Sequence, residues 1–330
     1  MKYKKYIKTT FNVLLPFVLG GGILYWMYRE YDFSQLRDVI VNEMSWGWMA
    51  FSMVFGIAAQ VFRGLRWKQS LEPLGEHPTL MDSIHAVFIS YASSLVIPRS
   101  GEITRCGVLS RYDGVNFSKA LGTVVSERIV DSLLMLLMIA VVIVFEVHAF
   151  DIFFDKTGTN VMAKLESFTT TGYLVTALCL IVTCAFLFFI FRKFTFLSRV
   201  KAAMANVKEG VMSLRGVERK WLYVFYSVMI WVSYFLHHWI AFYCFDFAEG
   251  LGFTVAIVSF VVGSISVIVP TPNGAGPWHF SVKTILILYG VASVNAETFV
   301  IIVHSLQTAL VPLLGIFSLI CLGFRKQNNN

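Results

Sequence analysis

The sequence predicts an all-α polytopic membrane protein of about six full spans plus two re-entrant, broken helical hairpins, arranged as an inverted-topology repeat. Three observations predict it. The 330 residues are 57% hydrophobic and only 14% charged, where a soluble protein carries about 25% charged residues, and several uncharged runs approach the roughly 20 residues that cross a bilayer core. Two apolar runs, Ser93 through Arg105 and Ser264 through His279, are each broken by Pro and Gly before polar groups follow. Lysine and arginine gather in alternate loops, which fixes the side of each loop. Paired interrupted segments in the two halves of a membrane protein point to a transport site where the halves meet.

Residues 1–10 hold four lysines and no acid, placing the N-terminus in the cytoplasm. A first span is expected over 11–28, with no small-residue cleavage site after Tyr25-Trp26-Met27 to mark a signal peptide. Loop 29–45 has two basic and four acidic residues, so it faces outward; Leu36, Val39 and Ile40 suggest a short amphipathic helix there. A second span, 46–62, reaches a basic and aromatic cytoplasmic border, Arg63-Gly64-Leu65-Arg66-Trp67-Lys68. The first broken element, 80–122, has basic flanks at Arg66/Lys68 and Arg128, so it dips in from the cytoplasm. A third span, 129–147, exits to a loop with two lysines and three acids, and a fourth, 173–191, returns.

Residues 192–220 hold eight Lys/Arg against two Glu and are cytoplasmic. Val200, Met204, Val207, Val211 and Leu214 recur there at helical spacing, as in a basic amphipathic helix in the headgroup layer or one packed on other cytoplasmic loops. A fifth span, 221–243, leads to an outer loop with Asp246 and Glu249. The second broken element, 253–289, has no Lys or Arg in the polar stretch that follows it, so it dips in from outside. A sixth span, 299–324, ends at Arg325-Lys326 in the cytoplasm. The half-repeats are thus about 46–147 and 221–324 of a single membrane domain. The net charge of +7 reads as topology and not as nucleic-acid affinity. Cysteines 106, 179, 184, 244 and 321 show neither disulfide nor metal spacing, and no cofactor is expected.

Non-helical backbone at membrane depth survives only inside protein or beside a wet cavity. Pro98 and Gly101, then Pro270, Pro272, Asn273, Gly274 and Gly276, predict such backbone, and the helices opening after them would turn N–H groups toward an anion. Arg99, Glu102 and Arg105 follow the first break; the arginine fork suits phosphate oxygens, and Glu102 could pair with either arginine in the empty site. Glu127 and Asp131 share a helical face beside Arg128, either as helix-start charges or as partners of Arg99 or Arg105. Arg63 and Arg66 divide between topology anchors and phosphate ligands. His237, His238, His304 and Gln307 read as hydrogen-bond partners between spans. No Walker loop, nucleophile elbow or metal cluster is present in the sequence, and the expectation is that the chain is not an enzyme.

Four groups of residues carry a resemblance to the transmembrane, flippase-like domain of lysylphosphatidylglycerol synthases and its stand-alone relatives. They are Arg63-Gly-Leu-Arg66-Trp67, Pro98-Arg99-Ser100-Gly101-Glu102-Ile-Thr-Arg105, Glu127-Arg128-Ile-Val-Asp131 and Pro270-Thr-Pro272-Asn273-Gly274-Ala275-Gly276. Where the family often has a Glu after the second break, this chain has Trp278-His279, with His279 as the candidate substitute. The bifunctional synthases continue into a soluble aminoacyl-transfer domain; this chain ends at Asn330, and lipid translocation is expected of it in place of aminoacyl-lipid synthesis. The resemblance implies movement of an anionic lipid, a phospholipid or polyprenyl-phosphate carrier, in the bacterial inner membrane. A membrane enzyme acting on a lipid-linked substrate and a non-transporting subunit of an envelope-synthesis complex stand as alternatives, and a homo-oligomer stays open.

Overall fold

A computed structural model describes residues 17–145, apart from 30 and 32, and residues 212–328. The described elements are helices and turns, with no strand among the described residues. Eleven helices are described; two are short, Phe33–Asp38 and Asp246–Glu249, and the other nine are α1 (Phe17–Tyr28), α2 (Trp46–Leu71), α3 (Leu80–Val96), α4 (Gly101–Tyr112), α5 (Phe117–Phe145), α6 (Lys220–Ile240), α7 (Phe253–Ser266), α8 (Pro277–Leu288) and α9 (Ser293–Asn328). Three stretches, Trp46–Leu74, Lys220–Cys244 and Ser293–Phe324, are long and apolar enough to cross a membrane. Together with the apolar side chains that α5, α6 and α9 expose, such as Leu133, Leu137, Val224, Phe225, Leu313 and Ile320, they make this a polytopic helical membrane protein.

The local chemistry explains where the helices stop. Thr79 caps α3 by accepting the Asp82 amide at 3.2 Å. Pro98 pushes Ile97 out of helical geometry, and Ile97 is extended at the α3 C-cap. The chain then turns within four residues. Ser100 Oγ donates to Ser93 O at 3.1 Å, and the Gly101 amide donates to Ser94 Oγ at 3.1 Å. Gly101 is required at this spot: a Cβ on it would run into the Ser90 carbonyl and the Ser94 hydroxyl. In the second break, Asn273, Gly274 and Gly276 all have positive φ (50°, 75° and 91°), and Pro277 then opens α8 at its first position, where its missing N–H costs nothing.

At 17, 12, 14 and 12 residues, helices α3, α4, α7 and α8 are each shorter than a full span. Contacts in the first half run α2–α3, α3–α4 and α4–α5; those in the second run α6–α7, α7–α8 and α8–α9. Between the halves, α2 packs on α6, α3 on α9, and α5 on α7. Each hairpin carries its own apolar cluster. Trp67, Leu71, Ala86, Cys106, Leu109 and Val124 surround the first; Met49, Ala256, Val282, Leu286, Phe299 and Val303 surround the second.

Several expected boundaries shift. Helix α2 does not end at residue 62 but continues through the basic segment to Leu71. Pairing of Arg63 and Arg66 inside the protein removes the need for these charges to sit at a water border. The first broken element closes at Tyr112, and α5 starts at Phe117, before the expected 129. Helix α9 likewise starts at Ser293. The predicted outer amphipathic turn is a helix, Phe33–Asp38, running into a π turn, Val39–Glu43, with Leu36, Val39 and Ile40 against the second cluster. The expected fourth span, Cys179, Cys184 and most of the basic 192–220 segment lie outside the described residues.

Candidate functional site

Five charged side chains from three helices form a buried ion network. Arg63 and Arg66 sit one helical turn apart on α2, Arg105 is on α4, and Glu127 and Asp131 sit one turn apart on α5. Arg63 Nη1 donates to Asp131 Oδ2 at 2.7 Å, and Arg66 Nη1 pairs with Asp131 Oδ1 at 2.7 Å. Glu127 receives Arg105 Nη2 at 2.6 Å and Arg66 Nε at 3.3 Å. All five are buried. The Arg105 guanidinium also lies over the Trp67 ring, 4.5 Å from its centroid, and the Trp67 indole donates to Thr123 Oγ1 at 2.9 Å. The i, i+3 spacing on α2 and i, i+4 spacing on α5 are what bring these groups face to face. Three guanidinium groups meet two carboxylates, so the cluster holds one positive charge in excess. Arg63 Nε, Arg66 Nη2 and two nitrogens of Arg105 find no hydrogen-bond acceptor in the described structure.

The two breaks meet each other. Arg99 is held at φ 65°, a left-handed conformation that costs a non-glycine residue about 1–2 kcal/mol, and its Nη2 donates to Ile268 O at 3.0 Å. Asn273 occupies the matching left-handed place in the second break. Its Nδ2 donates to Thr308 Oγ1 at 2.6 Å, and its carbonyl faces His304 Nε2 at 3.1 Å. A cavity of about 290 Å³ opens at this junction, lined by Tyr91, Trp231, Tyr234, His237, Trp278 and Gln307 among others. A second chamber of about 190 Å³ shares Tyr91, Tyr234, His237, Trp278 and Gln307 with it and adds Gln60, Asn273 and His304. The Tyr91 and Tyr234 hydroxyls are 2.7 Å apart, and the Arg63 charge acts on Tyr234. The tyrosine pair thus lines both chambers and lies within electrostatic reach of the ion network.

The structure divides the residues singled out in the sequence into three groups. Arg63, Arg66, Arg105, Glu127 and Asp131 form the network. Arg99, with Pro270, Pro272, Asn273, Gly274 and Gly276, forms the seam between the breaks. Glu102 and Arg128 lie at the edge of the network, where Arg128 Nη1 also comes within 3.8 Å of Asp131 Oδ2. Their side chains pair with each other at 3.1 Å and are each nearly half exposed, so the expected pairing of Glu102 with Arg99 or Arg105 is not made; Arg105 instead has Glu127, buried and closer. His279 does not line either chamber. It is buried at the start of α8, where its Nδ1 accepts the Gly276 amide at 3.3 Å and its ring lies 4.4 Å from that of His304. His237, His238 and Gln307 link helices as expected: His237 Nδ1 to Ser52 O at 2.7 Å, His238 Nε2 to Ser259 Oγ at 2.8 Å, and Gln307 Nε2 to His237 O at 3.0 Å.

Sequence reasoning missed Tyr91, Tyr234 and Gln60. Tyrosine blends into an apolar run, and only Gln60, a lone amide inside an apolar span, offered a signal. Comparison with curated proteins and with solved structures finds no match. A family model described as the lysylphosphatidylglycerol synthase TM region matches residues 13–315. That range contains both breaks, the ion network and the cavity between them. The chain therefore belongs to the lysylphosphatidylglycerol synthase TM-region family.

Proposed function

We propose that this protein moves an anionic lipid, a phospholipid or a polyprenyl-phosphate-linked lipid, between the leaflets of a bacterial inner membrane. The observation that carries the proposal is a largely apolar cavity beside the second break that carries a few polar groups (Tyr91, Tyr234, His237, Gln307), close to a buried network bearing one excess positive charge. In a low-dielectric surround that charge draws a phosphate more strongly than it would in water. The lipid tails stay in the bilayer, so only the headgroup needs a polar path. The reading is transport, with no bond made or broken in the lipid.

Two inverted half-repeats with re-entrant hairpins suit this task. The order long helix, broken hairpin, long helix occurs twice, and α3–α9 and α5–α7 are equivalent contacts under such a pseudo-two-fold. Both termini would then face the cytoplasm, in keeping with the lysine and arginine distribution.

The test is a proteoliposome assay of headgroup accessibility with a fluorescent anionic lipid beside a zwitterionic one. Wild type should move the anionic lipid faster. Arg99→Lys should lose about tenfold to a hundredfold, the value of one charge-assisted hydrogen bond. One arginine nitrogen already holds Ile268 O, and lysine has no second nitrogen for a phosphate. Equal rates for wild type and Arg99→Lys, or no preference for the anionic lipid, would overturn the proposal.

A further inference from the structure

We infer that the cavity at the junction of the breaks is a subsite for an uncharged, hydroxyl-rich part of the lipid headgroup, a polyol or sugar beyond the phosphate. The inference rests on the transport reading and narrows its cargo. Its first support is what lines the two chambers: aromatic and aliphatic side chains such as Met135, Val267 and Leu310 among a few imidazoles, amides and hydroxyls, with no Lys, Arg, Asp or Glu among the described lining residues. A carboxylate or ammonium placed there would leave water without an opposite charge beside it, which is costly. The single positive charge that the ion network keeps in excess serves the phosphate, and Glu127 and Asp131 take up the rest of the arginines' charge.

The second support is a pair of buried polar atoms left without partners. Trp231, which lines the larger chamber, has its buried Nε1 donor unpartnered, and Gln60, which lines the smaller, has its buried Oε1 acceptor unpartnered. A side-chain indole can only donate and an amide oxygen can only accept, so a single kind of charged group cannot satisfy both. Hydroxyl groups do both. Tyr91 and Tyr234, at 2.7 Å, share one hydroxyl hydrogen between them and keep further capacity for a third hydroxyl. Trp231 and Trp278 add flat apolar faces of the kind that cover the C–H side of a ring or polyol. The chambers, of about 290 and 190 Å³, hold a headgroup fragment and not a whole lipid, which suits a site whose ligand keeps its tails in the bilayer.

The experiment separates this inference from transport itself. Binding is measured by isothermal titration of the detergent-purified protein with short-chain phosphatidylinositol, phosphatidylglycerol, phosphatidylserine, phosphatidylethanolamine and phosphatidic acid, and with free inositol. Leaflet exchange of the long-chain forms is measured in proteoliposomes. The inference expects phosphatidylinositol and phosphatidylglycerol to bind at least about tenfold tighter than phosphatidylserine and phosphatidic acid. Free inositol, lacking the phosphate and tails, should bind far more weakly than the lipid. Trp231→Phe, which keeps a ring but removes the donor, and Gln60→Leu, which removes the acceptor, should each weaken phosphatidylinositol about fivefold, the scale of one neutral hydrogen bond. Neither should change phosphatidic acid binding. Leaflet exchange that favours anionic lipids but treats them all alike, or prefers phosphatidylserine among them, would overturn the inference and leave anionic-lipid transport standing. Selective binding without leaflet exchange would support the subsite and sink the transport reading. Loss of all lipids by both variants at unchanged thermal stability would also overturn it, since a general collapse of the path is not the loss of one contact.

Discussion

Glu127 is the residue on which the buried network turns, because it holds Arg105 and Arg66 together at 2.6 and 3.3 Å. Glu127→Gln keeps the shape and removes the charge, leaving three buried guanidinium groups facing Asp131 alone. Breaking one side of a buried ion pair costs about 3–5 kcal/mol, so the variant should show a clear drop in Tm in detergent. Glu127→Gln combined with Arg105→Gln restores the original excess of one charge and should recover a good part of that loss. An unchanged Tm in the single variant would mean that water reaches the cluster. By contrast, Glu102→Gln should change stability by less than about 1 kcal/mol, as Glu102 and Arg128 form a half-exposed pair.

At the scale of helices, one close meeting of the two halves is α3 against α9. A Cβ on Gly315 would collide with the Cβ of Ala92, so the two backbones approach as small residues allow in membranes. Gly315→Val should therefore force α9 away from α3, destabilising the protein by about 1–3 kcal/mol and lowering leaflet exchange, because Gln307 and Thr308 on α9 reach the cavity and the second break. A Tm equal to wild type would count against this packing. Gly101→Ala acts within one hairpin, where the obstacle is the α3 backbone at Ser90. The break itself was plain in the sequence, since proline and glycine are local signals. That α3 and α9 would touch was not, because Ala92 and Gly315 are unremarkable members of apolar runs and their meeting depends on tertiary packing.

For the whole molecule, charge counting and hydropathy reached the helical membrane architecture and, among the described residues, the places of both broken elements. They failed at helix ends: charge was read as a border at Arg63 and Arg66, whereas these arginines carry their counter-ions with them into α2. The sidedness drawn from loop charges has its own test. In a cysteine-free background, Gly250→Cys and Glu218→Cys place thiols at exposed positions near opposite ends of α6. An impermeant reagent applied to intact cells should label the first and not the second. Labelling of Glu218→Cys alone would reverse the orientation. The candidate network was legible because its five members are charged residues in apolar surroundings. The cavity was not, because neutral aromatic and amide groups show their purpose only once six helices have gathered around them.

The sequence distance across the ion network also bears on how the chain is made. Arg63 and Arg66 find their carboxylates 68 and 61 residues later, and at about 5–20 residues per second a ribosome takes roughly 3–14 seconds to cover that gap. Through this interval α2 carries two arginines with no acid beside them, at an insertion cost of roughly 2.5–3.5 kcal/mol each were they to reach the bilayer centre. Helix α2 is therefore expected to settle to its full depth only after α5 emerges, and a ribosome-bound chain that ends before Glu127 should leave the Arg63–Arg66 turn open to an aqueous thiol probe that the full chain excludes. Biosynthesis of the first half is in this sense a timed event, with Asp131 as its closing signal.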